Sequence, residues 1–394
     1  MVEDVEFLVV GCGPAGGIAA REAARCGVDT VVLEKDSVVG AKRVCAAGLR
    51  PGFCAAFDVP RSIIHCDTPR LALFDVDSRQ YEVFFGPGHT TTREELDGTI
   101  GDLARAAGAQ VRTSSLFRAV RREADRTFVE YADVRTGERR TIAARHVFFA
   151  QGSTAKLEQT AFAYADWNAG LVTTLQYRIY LQRPAEPIAY QTLEMHYFPT
   201  EDGRMTVAWM FPKRDHLAIG LGVLGKMDGV QLRRELDRFT NRVERRLYHG
   251  IPHTIKTEGH LLYGDQPRPM IARAGEIVGG TAAGLVDATN GEGIYEAAMS
   301  GRFAAQAVAS RGGNVHVQYE RAVKERFYRR LRHRARLMRY LERRPARYAL
   351  LFEQLQGSAR FADILQREDP ERTLADRLHL YGQALRFAAR AGFV

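Results

Sequence analysis

The tightest physical constraint on this chain lies at its start. Residues 5–10, Val-Glu-Phe-Leu-Val-Val, form a mostly apolar run with the length of a buried strand. Gly11-Cys12-Gly13-Pro14-Ala15-Gly16 follows, then a helical run from Gly17 to Cys26 that stops at Gly27. Thr30-Val31-Val32-Leu33 reads as a second strand and finishes at Glu34, eighteen residues after the last glycine of the turn. Gly-x-Gly-x-x-Gly between a strand and a helix, with an acid closing the next strand, is a dinucleotide-binding arrangement. Gly11, Gly13 and Gly16 allow a tight turn and a close approach of backbone to a pyrophosphate. The helix N-terminus adds oriented N–H groups and positive potential. Glu34 can accept hydrogen bonds from an adenosine ribose, and a turn built only for packing has no need of it.

The rest of the sequence narrows the setting. A chain of 394 residues, 45% apolar and 26% charged, can bury a sizeable core and fits one large or two interleaved domains. Wholesale disorder, a collagen-like repeat and a disulfide-stapled miniprotein are excluded. No apolar run reaches the ~18 residues of a membrane span, and the acidic Met1–Glu6 start is wrong for a secretory signal. Cys12, Cys26, Cys45, Cys54 and Cys66 are odd in number, which points to free thiols in a reducing, cytoplasmic compartment. No Cys-x-x-Cys, His-Glu-x-x-His or Gly-x-Ser-x-Gly pattern occurs, so neither a metal site nor a hydrolase nucleophile is expected.

The net charge of +9 is concentrated in one place. Between Arg321 and Arg347 twelve Lys or Arg stand against two Glu, with Phe327, Leu331, Met338 and Leu341 near helical spacing. A solvated helix face packed on a domain and a contact with an anionic membrane surface through 320–348 both fit this pattern. Nucleic acid is not expected, since no binding motif accompanies the patch.

Further motifs carry a family resemblance. Pro14-Ala15 inside the turn is typical of FAD-dependent oxidoreductases of the p-hydroxybenzoate hydroxylase type, and Thr92-Arg93-Glu94-Glu95-Leu96-Asp97 is similar to the arginine segment of that class. Gly280-Thr281-Ala282-Ala283-Gly284, with Asn290-Gly291-Glu292-Gly293-Ile294-Tyr295, resembles its second flavin motif, in the wording of geranylgeranyl reductases. Trp209-Met210-Phe211-Pro212, then seven residues and Gly220-Leu221-Gly222, resembles the signature of that reductase family, and Arg43-Val44-Cys45-Ala46-Ala47 aligns with its Lys-Pro-Cys-Gly-Gly turn. The tail from about residue 345 is similar to the (bacterio)chlorophyll branch.

The resemblance implies an FAD enzyme, reduced by NADPH or a ferredoxin, that hydrogenates C=C bonds of a geranylgeranyl chain carried on a tetrapyrrole or lipid, as in bacteriochlorophyll biosynthesis. It implies work beside a membrane, cytoplasmic or peripheral at the inner membrane. It assigns FAD contacts to Gly11, Gly13, Pro14, Ala15, Gly16, Glu34, Lys35, Arg43, Arg93, Thr281, Gly284, Gly291, Gly293 and Ile294. Substrate contacts fall to Trp209, Phe211, Gly220 and Gly222, and proton transfer to Cys45. Tyr197, Phe198 and Met210 are also available to line an apolar tunnel. The expected architecture is α/β: an FAD-binding Rossmann-type domain (1–50, 88–155, 270–310) interleaved with an antiparallel β-sheet substrate domain (51–87, 156–269), plus a helical C-terminal region (311–394).

Four positions depart from the family pattern. Gln151 and Thr281 replace aspartates near the cofactor, Ala46 and Ala47 replace glycines beside the cysteine, and Val207 replaces the signature tyrosine. Losing a hydrogen bond to a charged acceptor costs roughly 1.5–3 kcal/mol. Three readings therefore stay open: a working reductase, a paralogue that binds isoprenoid or pigment without turnover, and a flavin monooxygenase.

Overall fold

The computed structural model describes residues 2–41, 45–83, 88–153, 157 and 160–392. The resemblance-assigned Arg43 lies outside them. The expected FAD-binding α/β architecture, with a second sheet and a helical C-terminal region, is present. Strand Glu3–Val10 is flanked in parallel by Thr30–Leu33 on one side and Arg139–Phe149 on the other. Gln110–Arg112 and Glu276–Val278 extend the sheet at its two ends, and an antiparallel pair, Ser115–Glu123 and Arg126–Asp133, is attached to Arg139–Phe149. Toward their carboxyl ends, where both faces are covered, the strands are continuously apolar: Phe7, Leu8, Val9, Val31, Val32, Val147 and Phe148 are inaccessible to solvent.

Register then places the site. Val10 pairs with both Leu33 and Phe149, and Phe149 pairs with Val278. The residues that follow these strand ends (Gly11, Glu34, Ala150 and Gly279) therefore stand side by side along the carboxyl edge of the sheet, where open α/β sheets bind ligands.

Helix Pro14–Arg25 crosses helix Ile294–Ala309 at very short range. The crossing is made of small residues, and a Cβ on Gly301 would run into the Ala15 carbonyl oxygen. Two segments far apart in sequence thereby fix the turn between them.

The second sheet runs in the order His253–Tyr263, Leu171–Leu181, Leu217–Leu224, Met205–Pro212, Thr192–Pro199, Arg70–Phe74, Gln80–Val83. It is antiparallel except where Thr192–Pro199 runs parallel to Arg70–Phe74. Helix Gly229–Leu247 has Leu232, Leu236, Phe239, Val243 and Leu247 on one stripe, and these cover one face of the sheet with Ile179, Ala208, Met210 and Ile219. The other face turns to the C-terminal helices Arg329–Glu342 and Arg347–Gln356, whose Met338, Leu341, Tyr348 and Phe352 pack toward Met195, Tyr197 and Met205. Phe53, Phe57 and Ile63 join the core of the first sheet instead.

Gly301→Ala is expected to lower the unfolding free energy by about 1–3 kcal/mol, the usual cost of overpacking. Urea denaturation measures it, and an unshifted midpoint would mean that the helix crossing does not carry the load described.

Candidate active site

One continuous cavity of about 1520 Å³ runs from the glycine turn to the C-terminal helices. Its polar end is the strand edge. Gly11 has φ +99°, and a Cβ there would sit 2.6 Å from the Ala150 carbonyl oxygen. A Cβ on Gly16 would strike the Gly11 carbonyl, so the third glycine serves the turn from beneath and does not line the cavity. Pro14 opens the helix, where its missing N–H costs nothing. The Glu34 carboxylate accepts from the backbone N–H of Cys12 at 2.8 Å and of Asp36 at 3.0 Å. These bonds aim it across the turn, while burial raises its pKa.

Arg93 begins helix Arg93–Ala106 and forks onto Asp97 one turn later, at 2.9 and 2.5 Å. Its guanidinium lies beside Gly13 and faces the Cys45 thiol. On the opposite wall Gly291 (φ +74°), Gly293, Ile294 and Thr281 line the same space. The Gln151 side-chain oxygen is buried and has no hydrogen-bond partner among the described residues. A glycine cradle, an aimed carboxylate, a buried guanidinium and an unmatched buried acceptor at one edge fit a flavin dinucleotide. Glu34 and Lys35 would serve the adenosine end, Gly11–Ala15 and Arg93 the phosphates, and Thr281, Gly291, Gly293 and Ile294 the flavin side.

Past the turn, Cys45 and Ala46-Ala47-Gly48 line the cavity. The Cys45 Sγ accepts from Ala47 N–H at 3.3 Å, and Ala47 is held at φ +46°, the left-handed region that favours glycine. The alanine therefore occupies a glycine-type conformation rather than reshaping the loop.

Beyond it lies strand Met205–Pro212, whose alternation sorts the signature residues. Met205, Val207, Trp209 and Phe211 face the cavity. Met210 faces the opposite core, as does Phe198 on the neighbouring strand. The expectation that Phe198 and Met210 line the tunnel is thus corrected by the period of two, whereas Tyr197 does line it, directly across from Val207.

The glycines of the signature also divide. Gly220 pairs with Trp209 across the strands and leaves room for its indole, since a Cβ would meet the ring itself. It supports the tryptophan from outside the cavity lining, while Gly222 is part of that lining. Trp209 Nε1 donates to Gln176 Oε1 at 3.0 Å, and Phe211 packs on Gly48 of the cysteine loop. Gly284, assigned to the cofactor by resemblance, instead takes φ +75° at a turn against Pro267 and lies away from the cavity.

Two cations beside these motifs were not read from the sequence. Lys213, directly after Pro212, is 1% exposed and donates to the Ala46 carbonyl at 2.5 Å. Arg50, five residues after Cys45, pairs with Glu292 and Glu296 of the second flavin motif. Only the positions of these residues, next to motifs already singled out, could have flagged them.

Comparison with known proteins agrees with this geometry. Residues 6–75 match the family model described as an FAD binding domain. The chain is 27% identical over 322 residues to a geranylgeranyl diphosphate reductase of Synechocystis, covering 78% of this chain and 75% of that protein. It is 28% identical over 355 residues to a digeranylgeranylglycerophospholipid reductase of Thermoplasma acidophilum, covering 83% and 85%. A solved structure from the same organism, described as geranylgeranyl bacteriochlorophyll reductase-like, superposes with a TM-score of 0.74 at 21% identity over 99% of both chains, which speaks to fold.

Gly11→Ala is expected to yield a folded protein that loses bound flavin, because the substitution meets both a positive φ and the Ala150 carbonyl. The ratio of visible flavin absorbance to protein measures it, and full flavin occupancy in the variant would refute the assignment.

Proposed function

We propose that this chain is an FAD-dependent reductase that hydrogenates C=C bonds of a geranylgeranyl chain carried on a lipid or tetrapyrrole, with NADPH or a ferredoxin as electron source. The observation that carries this reading is the single cavity, which is polar at the glycine turn, passes Cys45 and continues between an apolar sheet face and the C-terminal helices. Small-ligand pockets commonly hold roughly 300–1,000 Å³, and this one has room for a dinucleotide and an extended chain end to end. The relatives' names supply the chemistry of that chain.

An isoprenoid offers no hydrogen bonds, so its affinity must come from buried apolar area, about 0.8 kcal/mol per buried CH₂. Val207, Phe211, Leu337, Met338, Leu341 and Phe352 provide a wall of the right character. Saturating an isolated alkene takes a hydride on one carbon and a proton on the other. Reduced FAD supplies the hydride when bound. The Cys45 Sγ–H supplies the proton, from a loop that lies between the two halves of the cavity. Trp209 and Phe211 orient the chain, and the C-terminal helices exclude water from it.

The basic segment divides between two tasks. Arg330 pairs with Glu296 at 2.6 Å, Arg334 with Asp287 and Arg326 with Glu371 at 2.8 Å, so part of the charge is structural. Arg321, Arg329, Arg336, Arg343 and Arg344 remain exposed. Leu374, Leu378, Tyr381 and Leu385 form a solvent-facing stripe on the last helix, each at 50–74% exposure. No helix among the described residues is long and apolar enough to cross a membrane. The exposed cations and the apolar stripe together support peripheral contact with an anionic bilayer, which would deliver a water-insoluble substrate.

Chemically reduced protein incubated with a geranylgeranyl lipid should add two hydrogens per double bond, read by mass spectrometry. Cys45→Ala should retain flavin and lose about 10²–10⁴-fold in kcat, while Phe211→Ala should act mainly on KM. Full turnover by Cys45→Ala, or no reduction of any such lipid by a flavin-replete enzyme, would sink the reading. Sedimentation with vesicles tests the membrane contact: binding to phosphatidylglycerol that is lost in high salt is expected, and equal binding to neutral phosphatidylcholine is not.

A further inference from the structure

We propose that Lys213 is a positioning residue for the reacting loop: from behind the cavity wall its buried ammonium clamps the Ala46–Ala47 turn and sets the reactivity of the Cys45 thiol. The inference rests on reading Cys45 as the proton donor and names the group that prepares it. Lys213 immediately follows the strand that carries Trp209 and Phe211. Two bonds fix it there: its N–H donates to the His216 carbonyl at 2.7 Å, and Pro212 one residue earlier accepts from the Thr90 hydroxyl at 2.7 Å. Nζ donates to the carbonyl oxygens of Ala46 at 2.5 Å and Ala47 at 3.5 Å. The Ala47 carbonyl also accepts from Thr91 N–H at 3.0 Å, so the turn is tied from two sides.

The turn needs this support because Ala47 stands at φ +46°. A left-handed conformation is unfavourable for an L-residue, and the contacts that hold it must offset that cost. Ala47 N–H in turn binds Cys45 Sγ, so the conformation that Lys213 stabilises is the one that orients the sulfur.

Charge adds a second effect. An ammonium beside a sulfur that has given up its proton stabilises the negative charge left behind. The titratable and charged groups around Nζ come from several elements: Cys45 and Cys66, Glu94 of helix Arg93–Ala106, Arg178 of the second sheet, and His65 and His216, while Arg93, charged at every pH of interest, faces the Cys45 thiol as a constant background. Burial dominates among these influences and brings the Lys213 pKa down to about 7, with Cys45 and Cys66 opposing the shift. The clamp is therefore charged below neutral pH and loses its charge as pH rises through 7. A lysine with its ordinary pKa would stay charged well beyond that. The cost of burying the charge runs the same way, being present at low pH and relieved above 7.

The test is alkylation of Cys45 by iodoacetamide, followed on the Cys45 peptide by mass spectrometry in the full-length flavin-loaded protein, with wild type, Lys213→Met and Lys213→Arg compared at pH 6.5 and 8.5. At pH 6.5 Lys213→Met should react at least fivefold more slowly than wild type, and Lys213→Arg within twofold of it. At pH 8.5 the deficit of Lys213→Met should shrink, and Lys213→Arg, still charged, should outpace wild type. Equal rates for Lys213→Met and wild type at pH 6.5, or a deficit unchanged between the two pH values, would overturn the proposal. If Lys213→Met does not fold, wild type against Lys213→Arg decides alone: divergence only at pH 8.5 supports the clamp, and identical rates at both pH values refute it. The readout needs no turnover, so an inactive enzyme with the expected thiol profile would refute the reductase reading and leave the clamp standing.

Discussion

The cavity exists because a set of buried charges holds its walls together. Glu296, fully buried in the first turn of helix Ile294–Ala309, accepts from Arg50 of the cysteine loop and from Arg330 of the C-terminal helix. Burial pushes its carboxyl up, but Arg50 and Arg330 outweigh burial and hold it below the usual range. Arg50 also binds Glu292, and Arg334 reaches Asp287 on the loop before the same helix. Buried ions survive only when each has its partner, and removing one typically costs about 3–5 kcal/mol. Three segments with no neighbouring sequence are thus locked to one another around the flavin motif. These pairs join the cysteine loop, the second flavin motif and the roof of the apolar half to one another.

This arrangement also resolves the basic segment. Its charges looked alike in sequence, yet the helix turns Arg330 and Arg334 inward while Arg329, Arg336 and Arg343 face water. The carboxylates that make the difference lie at 287 and 296, and no local pattern near 330 announces them. The same limit explains Lys213. A lysine after Trp-Met-Phe-Pro reads as an ordinary strand-end cation, and only the tertiary approach of the Ala46 carbonyl shows why it is buried.

What the sequence made legible was whatever is contiguous. The glycine turn, the acid at Glu34 and the Arg93 helix are local designs, and the parallel register brings them together as their spacing implied. Family wording carried the reading to Thr281, Gly291 and Trp209, but it could not separate glycines that face a ligand from glycines that make room. Gly220 lies under an indole and Gly284 turns the chain against Pro267, and both are structural necessities inside functional motifs. Likewise Phe198 and Met210 are as apolar as Tyr197 and Phe211, and only the strand phase assigns them to opposite faces.

The lobe around the glycine turn is assembled from strands at 3–10, 30–33, 110–112, 139–149 and 276–278, and its turn helix rests on a helix ending at Ala309. During synthesis, the first of these strands leaves the ribosome long before its last supporting helix exists. The second sheet, threaded between, must be made while the first waits unfinished, and the roof of the apolar half arrives later still. Contacts of such long sequence separation are slow to form. The strand edge that would hold the dinucleotide is therefore complete only once the chain has been made through Ala309.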